Sequence, residues 1–400
     1  MGRLKRLSFL YMRRMNLIGP IPESFDNLTV LERLDMCQNN LTGSMPAGIL
    51  RLHNLKILYL YYNNLTGEIP RQIPSTRLEK IDLSQNLLTG TLPPQVARPD
   101  NLTVLYLFTN RFSGEIPADL LSLRNLQTLL LGHNSFSGKL PSILSPYLSL
   151  LEIENNNLSG EFPTKLSANM NLQVLVASWN SFSGEIPTRV TQFQNLIYLC
   201  LDHIRFSGPI PLNIGSFRYL FYLDLSTNQL TGDIPTSFTQ LHSLYSLDLS
   251  DNHLSGLIPP DLGNLKLSKL NLSNNDLTSK VPGALDGPAF KRSFLHNPGL
   301  CASDPSLIQT LRSCSPPGDK AQTLPPAVLI AILVVVGILT LLSIGFPAAL
   351  LRAYIRQRRD FIDYASWKLI SFQMLGFTEE DIRRGLTENH LIGQGGSGKG

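Results

Sequence analysis

The 400-residue sequence lacks most of the residue combinations on which catalysis is built. It contains no His-Arg-Asp and no Asp-Phe-Gly, so nothing in it would hold Mg²⁺ or place a base for phosphoryl transfer. No hydrolytic constellation takes their place. His133, His203 and His253 lie on separate repeat units, each beside a recurring Asn position, without metal-ligand spacing, and they read as exposed polar positions; no metal site is expected. Four cysteines constrain little on their own. A net charge of +4 selects no ligand class, and no nucleic-acid module is present. The start, Met1-Gly2-Arg3-Leu4-Lys5-Arg6-Leu7, has no apolar leader. One stretch, by contrast, lacks charge altogether: Ala327 to Leu351.

What is present is a repeat of 22 to 24 residues. One copy reads Leu220, Leu223, Leu225, Asn228, Leu230, Gly232, Ile234, Pro235, and adding 24 to each gives Leu244 through Pro259 with the same residues at every position. Twelve copies run from Leu7 to Pro282, with Met15 and Ile204 in the Asn slot of the first and ninth. A fixed period of this kind defines a solenoid, a scaffold for binding rather than a usual seat of chemistry. The alternating leucines, such as Leu223 and Leu225, make a short strand with its apolar face inward. The column Asn turns inward to satisfy backbone groups exposed where the coil bends. Gly232 relieves the bend and Pro235 fixes φ in it. Strands of successive coils pair in parallel, and stacking supplies the core that no coil has alone.

The endings Leu65-Thr66-Gly67-Glu68-Ile69-Pro70 and Phe182-Ser183-Gly184-Glu185-Ile186-Pro187 resemble the plant-type extracellular leucine-rich repeat. The resemblance implies a right-handed superhelix with a parallel β-sheet on its concave side. It also implies a second thin sheet and 3₁₀ or loop segments on the convex side. Residues 1–282 are the repeats. Phe294-Leu295-His296-Asn297-Pro298-Gly299-Leu300-Cys301, with Cys314, resembles the C-terminal cap of plant receptor solenoids, expected over 283–316; that resemblance implies a Cys301–Cys314 disulfide. Cys37 and Cys200, in distant repeats, read as free.

After a linker at 317–326, the uncharged run 327–351 would form a helix roughly 37 Å long, enough to cross a ~30 Å apolar core. Arg352, Arg356, Arg358 and Arg359 follow it, which places the C-terminal side in the cytosol and the repeats outside the plasma membrane. A buried core helix fits neither the length nor the flanks. Six acceptor asparagines for N-glycosylation agree with that side: Asn27, Asn40, Asn64, Asn101, Asn157 and Asn271. Three of them arise automatically from the repeat ending.

The segment 352–390, with Trp367-Lys368-Leu369-Ile370-Ser371-Phe372 and Phe377-Thr378-Glu379-Glu380, resembles the juxtamembrane region of plant leucine-rich-repeat receptor-like serine/threonine kinases of the HAESA-like group. Residues 391–400 resemble the start of the kinase domain, with Ile392, Gly393, Gly395, Gly396 and Gly398 as its glycine-rich ATP loop. The family uses ATP and Mg²⁺; this chain, without the catalytic elements, is expected to use no cofactor and to have no catalytic residue. Missing leader, missing N-terminal cap and incomplete kinase together suggest a fragment or truncated product. A kinase-less receptor-like or decoy protein is the alternative.

Residues between the skeleton leucines point out of the sheet. Coils 3 and 5 offer Tyr59, Tyr61, Tyr62, Tyr106 and Phe108; coils 8 to 11 offer Trp179, Tyr198, Phe221, Tyr222 and Tyr245. Contiguous exposed aromatics favour a binding groove over ordinary strand propensity. The resemblance implies a secreted-peptide ligand and a leucine-rich-repeat co-receptor kinase. It also leads one to expect Arg-x-Arg on a strand, and the ninth repeat has Tyr198 and Cys200 there instead.

Overall fold

The computed structural model describes residues 4–74, 77–163, 171–303, 311–314, 394–395 and 398–399. They divide between two units, Met1–Pro316 and Pro317–Gly400.

In the first unit every coil opens with a three-residue strand. Tyr222–Asp224 pairs in parallel with Tyr198–Cys200 before it and Ser246–Asp248 after it, each residue facing its counterpart 24 positions away. Twelve such strands, from Phe9–Tyr11 to Lys269–Asn271, stand in strict sequence order in one sheet. A second sheet of nine strands, Thr66–Gly67 to His253–Ser255, runs along the coil after the Asn column, as the family resemblance implied. The chain then crosses the far side as short 3₁₀ turns such as Thr236–Gln240, launched by Pro235 at φ −59°; coil 5 uses a single α-turn, Ala118–Leu121. Strands stack about 4.8 Å apart, closer than 3₁₀ turns can, so the twelve-stranded sheet lies on the inner side of the curve.

The leucines of each strand are buried, and the core continues through a file of phenylalanines just past the Asn column. Phe112 and Phe136 stack with centroids 6.1 Å apart, and Phe162 meets Phe182 at 5.4 Å. The Asn column does what its chemistry predicts. Asn228 Nδ2 donates to the carbonyls of Leu201, Leu225 and Ser226 at 2.8, 3.1 and 3.1 Å, while its Oδ1 accepts from the Phe206 N–H at 3.0 Å. One side chain thus ties two coils together. The glycine column sits in the left-handed region, Gly232 at φ +77°, where a Cβ is unfavourable. In coil 12 Ser279 takes this place at the same φ of +77°, a strained end to the array.

The ladder extends one coil beyond the twelve repeats. Asn297, in the cap, donates to Leu272, Phe294 and Leu295 and accepts from the Leu277 N–H at 3.0 Å. Beyond it, Gly299–Ala302 pairs with Thr278–Lys280, and Cys301 is bonded to Cys314 with Cα atoms 5.0 Å apart. Cys37 and Cys200 are free.

In the second unit Gln394–Gly395 and Gly398–Lys399 form an antiparallel pair, the only part of the glycine-rich segment that is described. The linker, the proposed spanning run 327–351, the segment 352–390, Ile392, Gly393 and Gly396 lie outside the described residues. Among those described, no helix is long and apolar enough to cross a membrane.

Candidate binding face

Each coil reads Leu-x-x-Leu-x-Leu-x-x-Asn, and its third, fifth, seventh and eighth positions project from the twelve-stranded sheet. The eighth position was unremarkable in the sequence. In the structure it is left-handed in every coil: Gln38, Trp179, His203 and Thr227 have φ between 52° and 56°. This turn swings the side chain to the edge of the sheet face. It costs of order 1 kcal/mol for a residue with a Cβ, more for a β-branched one, and the Asn ladder on either side holds it.

The two predicted aromatic clusters have different fates. In the N-terminal half, Tyr59 is already engaged: the buried Arg33 guanidinium lies 5.0 Å from the Tyr11 ring centroid and 5.1 Å from that of Tyr59, with Asp35 3.7 Å away. Tyr61 is buried, packed edge-on to Tyr59, and Tyr106 and Phe108 are half-buried; only Tyr62 stands clear, 56 % exposed. Tyr59 and Tyr61 are therefore engaged within the sheet face, and of the five only Tyr62 is exposed.

The C-terminal cluster is open and falls into two groups. Trp179 stacks on His203 with centroids 3.7 Å apart, and His203 Nδ1 lies 2.9 Å from Asp202. Tyr198 stacks on Tyr222 at 5.9 Å and touches Phe221; Phe221 stacks on Tyr245 at 4.8 Å with planes 5° apart. Trp179, Phe221 and Tyr245 are exposed. Between these two aromatic walls runs a floor of acids that sequence reading missed: Glu152, Glu154, Asp202, Asp224 and Asp248. Burial, then the neighbouring acids, hold the Asp224 carboxyl well above the usual carboxylate range, and burial raises that of Asp248. Burial, then Asp224, likewise raises the Tyr222 phenol, whose oxygen lies 3.3 Å from that carboxylate. Cys200, on the same floor, is pushed up by burial and by Asp224, and Cys37 by burial and Asp35, which favours the protonated thiol in both. Their spacing by coils, not by sequence neighbourhood, hid the acids; fifth- and seventh-position columns aligned by repeat would have shown them. His203, read as a bland exposed residue, is part of a wall. Among the described residues no group of three potential ligands is arranged for a metal.

Of the glycosylation candidates, Asn27, Asn40, Asn64, Asn101 and Asn157 are exposed. Asn271 is half-buried on the sheet face, its amide donating to Asp248 and its Oδ1 accepting from Ser273, so a glycan there would break both contacts. On the opposite side, a depression lined by Arg98, Asp119 and Arg124 contains no aromatic residue.

A parallel sheet stacked coil on coil, with an internal Asn ladder and a Gly-Pro bend, is a leucine-rich-repeat solenoid fold. The Leucine Rich Repeat family model matches residues 30–52, 54–75, 77–98, 101–123, 125–146, 219–241, 243–265 and 266–287. Coils 7 to 9 fall between matched segments yet keep the same strand register. The repeats are homologous to those of plant receptor-like kinases. The chain is 31% identical over 138 residues to receptor-like protein kinase HSL1 of Arabidopsis thaliana, covering 34% of this chain and 13% of that one. It is 32% identical over 114 residues to receptor-like protein kinase 7 of the same plant, covering 27% and 10%. Its fold matches the plant peptide hormone receptor RGFR1 in complex with RGF2 at a TM-score of 0.67, with 34% identity over 76% of this chain and 48% of that one. It matches PEPR1 in the PEPR1–AtPEP1 structure at 0.62, with 28% identity over 75% and 46%. The chain thus spans about half of each of these two structures and a small part of the curated relatives.

Proposed function

We propose that this chain carries the ligand-recognising ectodomain of a single-pass plant receptor-like kinase, and that its ligand is a secreted peptide laid along the sheet face of coils 8 to 11. The observation that carries this reading is the open aromatic cluster from Trp179 to Tyr245. Burying such rings against one another would normally be the favoured arrangement; leaving three of them exposed, in two walls on one sheet face, makes a surface that an extended peptide can cover. The likeness to RGFR1, solved with RGF2, and to PEPR1, solved with AtPEP1, supports a peptide rather than a small molecule. A leucine-rich-repeat co-receptor kinase is taken as the second partner because the resemblance in the sequence implies one. Residues 327–351 then cross the plasma membrane, 352–390 lie in the cytosol, and 391–400 lead into a kinase domain. The reading assigns no catalysis to this chain.

The test is retention of short linear peptides of random sequence by the full chain in detergent micelles. Replacing Trp179, Phe221 or Tyr245 by Ala should cost roughly 30-fold in affinity for the retained peptides, the scale of a hot-spot aromatic. Glu115→Ala, on the second sheet, should cost nothing. Wild-type affinity in all three folded variants would remove the aromatic walls from the reading.

A further inference from the structure

In the fifth-position column carboxylates recur, and all but one are satisfied by their own coil. Asp82 accepts from the Ser84 N–H and hydroxyl at 3.0 and 2.6 Å. Asp224 does the same with Ser226 at 3.0 and 2.7 Å, and Asp248 with Ser250 at 2.9 and 2.6 Å. Asp35 accepts from the Cys37 N–H at 3.3 Å and pairs with Arg33. Glu152 has none of this. Two residues on stands Glu154, a second acid, where the other coils place a donor. The sheet register sets apolar Leu130 and Val176 on its two sides. Glu152 is only 7 % exposed, and its own coil supplies no Ser of the kind that holds Asp82, Asp224 and Asp248.

Glu154 is little better served. Its Oε2 is buried without a partner, and its Oε1 lies 3.9 Å from His133 Nε2. Its side chain leans over coil 6 into the space above Gly132, where a Cβ would stand 2.3 Å from Oε1. Glycine at 132 therefore clears the ground on which this carboxylate lies.

Two neighbouring, largely buried carboxylates are costly to a fold. What would complete them is a positive group with several N–H donors, an ammonium or a guanidinium; a neutral donor would satisfy the geometry but leave the charge. Coil 8, next along the sheet, presents the exposed Trp179 ring, a face that also favours a cation. We propose that Glu152 and Glu154 form a cation subsite of the sheet face that seats a Lys or Arg side chain of the bound peptide. This rests on the peptide-binding reading and extends it: the ligand enters coils 7 and 8 with a basic residue and lies across the aromatic walls beyond. Burial and then the neighbouring acids, Glu154 for Glu152 and Asp202 for Glu154, push both carboxyls up, as befits a pair that ionises fully only when a cation arrives.

The full chain in detergent micelles would be offered N-acetylated, C-amidated synthetic peptides of random sequence, and the retained pool sequenced for wild type, Glu152→Gln, Glu154→Gln and Glu115→Ala. Wild type and Glu115→Ala should enrich Lys or Arg at one peptide position by roughly tenfold, the scale of a charge-assisted pair. In both Gln variants that enrichment should vanish, while their melting temperatures stay at or above wild type. Retained peptides without a basic preference overturn the subsite alone, as does enrichment unchanged in Glu152→Gln. Retention that appears only with added calcium and is lost in Glu152→Gln makes the pair a metal site and overturns it too. No retained peptide at all overturns both this inference and the function it rests on.

Discussion

Glu152 and Asp224 stand in one column of one sheet and differ by a methylene, yet Asp224 is held by Ser226 while Glu152 has no Ser of that kind. The difference is set by the residue two places on, Ser in one coil and Glu in the other. It has a consequence for stability. The folded-state pKa of Glu152 lies above the ordinary glutamate value, first through burial and then through Glu154. Between the two values the native state keeps a proton that the unfolded chain has lost, so stability is greatest in acid and falls as pH rises through that window. Glu152→Gln removes the titration. The variant should melt at the same temperature as wild type near pH 4 and at a higher one near pH 8, where the buried charge otherwise costs on the order of 1 kcal/mol or more. Equal melting temperatures of the two proteins at both pH values would mean that the carboxylate is solvated after all.

Within a coil, the Asn and the strand are one device. The strand supplies a flat parallel edge, the left-handed eighth residue ends it, and the Asn collects the carbonyls that the turn exposes. Replacing Asn228 by Leu would take the Asn partner from the Leu201 carbonyl and the Phe206 N–H, while Asn252 still serves Leu225 and the His203 N–H still serves Ser226. Each such group costs on the order of 1–3 kcal/mol, so the loss should exceed about 2 kcal/mol. Gln229→Leu, at the next and exposed position, should change stability by less than about 0.5 kcal/mol. Thermal or denaturant melting of the two variants decides between them. Similar shifts would show that the ladder is decoration. Coil 9 lives without its Asn: Ile204 is buried in the slot, and the carbonyls of Ala177 and Leu201 are still served by Asn180 and Asn228 from the coils on either side. The redundancy of the column explains why a single gap is tolerated.

For the whole chain, the proposed arrangement places the repeats and the cytosolic segment on opposite sides of a membrane. With a cleavable leader supplied ahead of Met1, residues 4–314 should enter the lumen of microsomes and resist added protease, while residues after Arg359 should be digested. Glycans should appear on the exposed acceptors and be absent from Asn271. Digestion of the repeats in intact microsomes would reverse the orientation.

Much of the fold was legible in the sequence because a solenoid is specified locally. Leu223, Leu225, Asn228, Gly232 and Pro235 each impose a conformation on their own coil, and repetition at a fixed period does the rest. The strand order, the second sheet, the 3₁₀ turns, the Cys301–Cys314 bond and the two free thiols all came out as the residues and the resemblance led one to expect. The cap was only half read: Asn297 was quoted as part of a motif, and stacking alone revealed it as the thirteenth rung. What the tertiary structure decided was which side chains satisfy one another across coils. Tyr59 and Tyr106 look alike in sequence, but Arg33, one coil away, takes up the first. Glu152 and Asp248 look alike as acids, but Asn271, one coil on, donates to the second. Those outcomes depend on contacts between residues 22 to 24 positions apart, brought within hydrogen-bonding reach by the stacking of coils, and the local pattern that fixes each coil says nothing about them.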